Sequence, residues 1–130
     1  MSIWKNKGEN LIMPWGKITK FSSPFGMAGK IIYIKADSRT SLKYYNTADQ
    51  CLCLLSGKAS VFAPEEKEFG DIYTVNGSYF ELVPGDVILI QAGSPYRIKA
   101  LEDSVLVETL GGGWNSYDYV RLDDDYGRAE

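Results

Sequence analysis

The chain has 130 residues, of which 45% are hydrophobic and 24% charged, proportions typical of one ordinary globular domain. A formal net charge of −3 gives no reason to expect nucleic acid or an anionic membrane as a partner. No apolar run approaches the ~20 residues of a membrane helix, and the N-terminal residues lack an apolar core of signal-peptide length. We therefore expect a cytoplasmic protein with neither nucleic acid nor membrane as its partner.

Short β-strand patterns follow one another along the chain. Residues 1–13 are typical of an arm or an edge strand, and Pro14-Trp15-Gly16 of a turn. Alternation and β-branched or aromatic content predict further strands at 17–21, 30–35, 41–55, 58–63, 72–75, 79–83, 87–90, 96–100 and 104–110. Asn76-Gly77 is a strong hairpin dipeptide and is expected to join 72–75 to 79–83. Since no segment has a sustained helical period, we predict an all-β single domain, a barrel or jelly roll.

The two cysteines, Cys51 and Cys53, would lie on one face of a strand, ~6.5–7 Å apart. That separation does not suit a disulfide, and two thiols are too few for a closed zinc site. We interpret both as small hydrophobic residues in a reducing compartment.

A set of short motifs occurs in a fixed order along the chain. The motifs are Pro14-Trp15-Gly16, Ser41-Leu42 with Tyr44, Ser56-Gly57 with Ala59, Pro84-Gly85-Asp86, Ala92-Gly93 with Pro95 and Arg97, and the closing residues 120–122 (VRL) and 124–128 (DDYGR). This set resembles the cupin superfamily, and within it the type II phosphomannose isomerase module. That module forms the C-terminal part of bifunctional mannose-6-phosphate isomerase/mannose-1-phosphate guanylyltransferases. The resemblance covers roughly residues 14–128.

The resemblance implies a cupin (RmlC-like) double-stranded β-helix, with an arm at 1–13, a barrel at 14–110 and a docked tail at 114–130. Its relatives bind a divalent metal through histidines and a glutamate. This chain contains no histidine, and the corresponding places hold Tyr45, Asn46, Thr47, Gln50 and Tyr96. Phenol, amide and hydroxyl groups are poor metal donors at neutral pH. We therefore predict no bound metal and no cofactor.

Polar side chains from the two motifs are expected to converge inside the barrel. Alternation places Lys43, Tyr45 and Thr47 on one side of their strand, which the resemblance identifies as the interior. The candidate pocket residues are Lys43, Tyr45, Thr47, Gln50, Tyr96 and Glu108, with Tyr33 as a further candidate. They form either an aromatic, polar cup for a sugar, with Lys43 or Arg97 for a phosphate, or a filled core in which the tyrosines occupy the lost metal site.

Several residues outside this set have two interpretations. Lys43 would point inward only with a partner, and otherwise extends along the surface. Arg97, next to Tyr96, is predicted to point outward as a surface or interface residue. Trp15 and Trp114 are expected to pack at the barrel ends or between subunits, and the tail to dock through Arg121, Asp125, Tyr126 and Arg128. The polar segment 64–73 is either a solvated hairpin tip or a partner-binding flap.

Three functions fit the sequence. The first is a metal-free cupin that binds a sugar, a sugar phosphate or a similar small polar metabolite without isomerising it. The second is a metal-independent sugar isomerase or epimerase, which requires an acid and a base near one carbon. The third is a structural or assembly dimer with a filled barrel. A homodimer is expected in each case, and whether the protein is an enzyme stays open.

Overall fold

The computed structural model describes residues 2–24, 26–65, 76–111 and 119–127. These residues form eleven β-strands, and within them no helix is present that could cross a membrane. The strands are β1 (Glu9–Met13), β2 (Gly16–Ser22), β3 (Ala28–Ile34), β4 (Leu42–Tyr45), β5 (Asp49–Ser56), β6 (Ala59–Pro64), β7 (Gly77–Leu82), β8 (Val87–Ile90), β9 (Arg97–Ala100), β10 (Ser104–Gly111) and β11 (Tyr119–Asp123).

Two walls of antiparallel strands face each other. One is a six-stranded sheet in the order β1-β2-β3-β10-β5-β8. The other contains the sheets β7-β6-β9 and β11-β4, which are joined through the bridges Arg39↔Lys99 and Lys43↔Tyr96. Several neighbouring strands are distant in sequence, among them β3-β10-β5-β8, β6-β9 and β11-β4, which is the crossed connectivity of a jelly roll. The predicted all-β architecture is confirmed.

Apolar side chains on the inward faces fill the space between the walls. Leu52, Leu54 and Leu106 are fully buried at 0% exposure, and each such side chain contributes about 1.5–3 kcal/mol to the stability of the fold. The main core cluster also includes Trp15, Ile18, Ile32, Ile34, Ala59, Val61, Leu82, Ile90, Tyr96, Ile98 and Ala100. A smaller cluster of Ala28, Tyr45, Ala48 and Leu110 lies beside it.

The stretch 41–55 was predicted as one strand, and this is wrong. It forms two strands separated by residues 46–48. β4 ends before this corner and lies in one wall, and β5 begins after it and lies in the other. Asn46 and Thr47 are exposed at the corner while Ala48 is buried. Because the chain changes sheets here, alternation does not carry from β4 into β5, and the prediction that Thr47 faces the interior is also wrong.

Asn76-Gly77 was predicted to form a hairpin turn, and this is also wrong. Gly77 begins β7 and pairs with Pro64, while the Glu65 amide donates to the Asn76 carbonyl at 2.9 Å. The glycine is needed here for close approach, since a Cβ at Gly77 would overlap the Ala63 carbonyl oxygen. The predicted strand 72–75 lies outside the described residues, as does most of the 64–73 segment.

The tail residues 119–127 lie against the second wall. β11 pairs with β4, and Arg39 donates to Asp125 from Nε at 2.6 Å and from Nη2 at 2.7 Å. Arg97 was predicted to point out of the barrel as a surface or interface residue; it is buried at 7% exposure and donates to the Thr40 carbonyl and to Asp123. It points out of the barrel, and the tail covers it. Trp114 and Arg128 lie outside the described residues, and the division into arm, barrel and tail stays a prediction.

Candidate functional site

Four buried polar side chains meet between the two walls, and we call Lys30, Tyr45, Tyr96 and Glu108 the polar layer. Lys30 of β3 and Glu108 of β10 are cross-strand neighbours, and the two tyrosines come from the opposite wall. The Tyr96 hydroxyl donates to Glu108 Oε2 at 2.9 Å, and the Lys30 ammonium donates to the Tyr45 hydroxyl. Lys30 Nζ lies 3.9 Å from Glu108 Oε1. These contacts form one chain of polar groups across the barrel.

Burial and charge set the protonation of this layer. Burial lowers the pKa of Lys30, Glu108 acts to raise it, and the nearby Lys20 lowers it further. Burial, together with the Glu108 carboxylate, raises the pKa of Tyr96 well above its ordinary value of 10. Tyr96 is therefore a neutral hydrogen-bond donor at physiological pH.

Two buried oxygen atoms beside the layer have no hydrogen-bond partner among the described residues, Gln50 Oε1 and Glu108 Oε1. The Gln50 amide nitrogen is occupied, since it donates to the Ala48 carbonyl at 3.1 Å. Gln50 pairs with Leu110, so it is a diagonal neighbour of Glu108 on the same inward face. A hydroxyl or a buried water between them would find two acceptors.

Cations and aromatic rings surround the layer where β4 pairs with β11. The Lys43 ammonium lies 5.4 Å from the ring centres of Tyr45 and Tyr119, and those rings meet edge to face at 6.0 Å. Arg121 lies 5.5 Å from the Tyr119 ring and donates to Ser41 Oγ. Lys43 is half-buried, with its ammonium held over aromatic faces.

Tyr119 also lines a cleft of about 640 Å³. Its lining residues are Asn6, Lys7, Gly8, Glu9, Leu11, Met13, Lys20, Phe21, Ser22 and Tyr119. Three further clefts border residues at other places on the described surface. None of these four clefts is lined by the polar layer, whose members are only 1–5% exposed.

Neither a family model nor a curated protein matches the sequence. Solved structures do match the fold. The capsular polysaccharide assembling protein CapF from Staphylococcus aureus has a TM-score of 0.72 at 13% identity, over 92% of this chain and 35% of CapF. Oxalate decarboxylase from Bacillus subtilis has a TM-score of 0.73 at 17% identity, over 94% of this chain and 33% of the decarboxylase. This chain has the cupin fold.

The cupin neighbours are about three times as long as the part that this chain matches. At such low identity the likeness concerns the barrel alone, and the activity of either neighbour is a property of that protein. The predicted cupin jelly roll is thus confirmed as a fold. The finer resemblance to a phosphomannose isomerase module rests on the sequence motifs.

The residues at the centre of this cupin barrel do not fit a divalent metal. The donors available are two phenols, one amide and one carboxylate, and the Lys30 ammonium lies 3.9 Å from that carboxylate. A divalent ion would sit beside a fixed positive charge with a single strong donor, which is electrostatically unfavourable. Among the described ranges there is no group of three His, Cys, Asp or Glu side chains that could hold an ion.

Tyr45, Tyr96 and Glu108 are thus together, with Gln50 beside them and Lys43 at the rim. Tyr33 lies on the outer face of β3, with the Lys17 ammonium 4.5 Å from the centre of its ring. The prediction that Tyr33 is a further pocket residue is therefore wrong. The sequence reasoning missed Lys30 altogether. Lys30 shares the parity of Ile32 and Ile34, both buried, and that parity was the available signal for an inward lysine.

Proposed function

We propose that this protein is a metal-free cupin that binds a small anionic carbohydrate, of the sugar phosphate class, without catalysis. The ligand occupies the cleft beside Tyr119, and the polar layer behind that tyrosine is a fixed internal support. The observation that carries the proposal is a cleft of about 640 Å³ with two lysines, one glutamate and two aromatic rings on its walls.

The lining chemistry favours this ligand class. A cleft of this size lies within the ~300–1,000 Å³ typical of small-ligand sites. The Lys7 and Lys20 ammonium groups suit a phosphate, and the Tyr119 ring offers a flat apolar face for a sugar ring. Asn6 and Ser22 supply polar groups for hydroxyls. The resemblance to phosphomannose isomerases, which act on mannose 6-phosphate, points to the same class.

Thermal unfolding with a ligand panel tests the proposal. Mannose 6-phosphate, fructose 6-phosphate, mannose and inorganic phosphate would each be added in EDTA and again with Mn²⁺. A ligand at ten times its Kd stabilises the folded state by about 1.4 kcal/mol, which raises Tm by ~5 °C in a domain of this size. We expect that rise with a sugar phosphate, unchanged by EDTA.

The variants Lys20→Gln and Tyr119→Leu should lose most of this shift, while Lys99→Gln, on β9 of the other wall, should keep it. Stabilisation by every anion to the same extent, or a shift that appears only with Mn²⁺, would contradict the proposal. Metal analysis of the purified protein provides an independent check, with less than stoichiometric divalent metal expected.

A second candidate function, metal-independent isomerisation or epimerisation, is favoured by the 2.9 Å contact between Tyr96 and Glu108. Aldose–ketose isomerisation moves a proton from one carbon to its neighbour, and requires a base and an acid near them. Glu108 would take the proton, Tyr96 would donate to the carbonyl oxygen, and the Lys30–Tyr45 pair would balance the charge. The burial of all four groups requires that the barrel open to admit the substrate.

Proton exchange distinguishes this candidate from simple binding. In D₂O with EDTA, an isomerase would introduce deuterium at C2 of mannose 6-phosphate, detectable by NMR, and Tyr96→Phe would abolish it. If wild-type protein causes no exchange while a sugar phosphate still raises Tm, the catalytic candidate fails and the binding proposal stands. A cytoplasmic location is part of both proposals.

A further inference from the structure

The cleft beside Tyr119 brings together residues that are distant in sequence. Nine of its lining residues belong to the stretch 6–22, which contains β1 and β2. Tyr119 of β11 is the one lining residue that comes from elsewhere in the described sequence. Its ring is an aromatic face on which the proposed sugar would lie. The cleft is therefore complete only when β11 is in place.

The backbone of β11 has a short contact with the rest of the barrel. Among the described strands it pairs with β4 alone, in a two-stranded sheet, and the register shifts between Arg121 and Asp123. Its five residues are half-buried or exposed. A short edge strand with little buried surface is among the first parts of a fold to open. Side-chain contacts must therefore help to hold Tyr119 in the cleft.

Four charged side chains provide such contacts, and we call Arg39, Arg97, Asp123 and Asp125 the tail clasp. Arg39 donates two parallel hydrogen bonds to Asp125, from Nε at 2.6 Å and from Nη2 at 2.7 Å. Arg97 donates from Nη1 to Asp123 at 3.1 Å, and its Nη2 lies 3.7 Å from Asp125. Because Arg97 is buried, the loss of these carboxylates would leave its charge poorly compensated, which favours the docked tail.

The tail clasp acts on the cleft without lining it. Asp123 and Asp125 follow Tyr119 by four and six residues, which is ~13–20 Å along an extended chain. Neither borders the cleft. The ladder between β11 and β4 connects the two places, and Tyr119 packs edge to face against the buried Tyr45. Tyr119 and the clasp carboxylates therefore dock on the second wall as one unit.

We propose that the tail clasp positions Tyr119 in the wall of the cleft and thereby controls, from a distance, the affinity of this site for a sugar phosphate. The identity of the ligand rests on the proposed function, whereas the control rests on the contacts of the clasp. Arg39 and Asp125 are positioning residues, since neither reaches the cleft. If the tail is docked in only a fraction of the molecules, the apparent Kd rises by the inverse of that fraction.

Titration of mannose 6-phosphate in EDTA into wild type and Asp123→Asn/Asp125→Asn tests this control. Both substitutions keep the size of the side chain and remove the carboxylates that face Arg39 and Arg97. The variant should bind about ten-fold more weakly, as Tyr119→Leu should, and should cause no further loss in the Tyr119→Leu background. Simple electrostatics predicts the opposite sign, because removing two negative charges from a chain of net charge −3 favours an anion.

Single variants keep the test valid if the double substitution unfolds the protein. Arg39→Gln breaks the clasp at its exposed member and should also weaken binding. Lys99→Gln, an exposed residue on the same wall, removes the same charge and should not. Glu81→Gln, exposed on β7, removes a negative charge outside the clasp and should leave Kd within about two-fold of wild type.

Hydrogen exchange without ligand separates this inference from the proposed function. Backbone amides of residues 119–123 should exchange faster in Asp123→Asn/Asp125→Asn, while those of β5 and β10 keep their protection. If wild type binds no sugar phosphate, the proposed function fails, and faster exchange at 119–123 still supports the positioning of Tyr119 by the clasp. Unchanged exchange there, or faster exchange with a Kd equal to or below that of wild type, would overturn the inference.

Discussion

The polar layer makes Glu108 the residue whose charge the barrel interior depends on most. Glu108→Gln keeps the shape of the side chain and an acceptor for the Tyr96 hydroxyl. It removes the carboxylate that lies 3.9 Å from the Lys30 ammonium. Since Lys30 is 5% exposed, water cannot replace the lost counter-charge, and the variant should be strongly destabilised.

The cost has an upper bound. Breaking one partner of a buried ion pair typically costs about 3–5 kcal/mol. Lys30 can instead release its proton, and holding a lysine with an ordinary pKa of 10.5 neutral at pH 7 costs about 5 kcal/mol. We therefore expect a loss of about 3–5 kcal/mol at pH 7, equivalent to a fall in Tm of ~10–20 °C for a domain of this length.

The penalty should shrink as pH rises. A lowered lysine pKa in the folded state means that the unfolded chain binds more protons between the folded pKa and 10.5, so stability increases with pH through that window. Glu108→Gln removes the charge that raises the pKa of Lys30, so this pKa falls further in the variant. The free energy of unfolding of the variant should therefore rise relative to that of wild type by about 1.4 kcal/mol per pH unit. Urea unfolding monitored by tryptophan fluorescence between pH 7 and 10 measures this slope.

Two variants complete the experiment. Glu102→Gln makes the same chemical change at an exposed position and should stay within about 0.5 kcal/mol of wild type. The double variant Lys30→Met/Glu108→Gln removes both charges, and should be more stable than Glu108→Gln alone. Equal stability of Glu108→Gln and wild type, or strict additivity of the two single changes, would refute the coupling.

Three more predictions concern other parts of the fold. The pKa of Tyr96 is raised by burial and by Glu108. Its neutral form therefore contributes stability that is fully present below pH 10 and is lost as pH rises toward the pKa of the folded state. Tyr96→Phe should reduce this loss, as measured by urea unfolding from pH 9 to 11. The pKa of Asp125 is lowered from 3.8 chiefly by its hydrogen bond from Arg39, so Asp125→Asn should be less stable than wild type at pH 7 and equal to it near pH 2, as measured by thermal unfolding. Gly57→Ala should cost about 2–4 kcal/mol in chemical denaturation, because φ is +89° there and a Cβ would overlap a backbone carbonyl. Gly85 has φ +96° but lies in open space, so Gly85→Ala should cost only about 1 kcal/mol in the same assay.

Local patterns were sufficient to predict much of the barrel. Alternating apolar residues and Gly- or Pro-containing turns located most of the strands, and motif order identified the cupin jelly roll. The errors occurred where tertiary context overrides a local signal. Residues 46–48 join two runs that both favour extended structure, and only the change of sheet ends β4 there. Gly77 follows an asparagine, yet it is needed for strand approach and not for a turn.

The interior was only partly accessible from sequence for a similar reason. Alternation and the motifs brought Tyr45, Tyr96 and Glu108 to one place, but a lysine at the start of a strand is normally a surface residue. Lys30 is turned inward because its strand lies in the middle of the six-stranded sheet, next to the strand of Glu108. A single sequence does not reveal which strands become neighbours, so it could not reveal this pair.

The pairing of β4 with β11 has a consequence for how the protein forms on the ribosome. Tyr45 is aligned with Tyr119, so β4, which is synthesised early, cannot pair until β11 has been synthesised much later. Until then, one edge of the nascent barrel stays open to solvent and to other chains. Such distant pairing is associated with folding over milliseconds to seconds, and during that interval a chaperone would have its clearest opportunity to act.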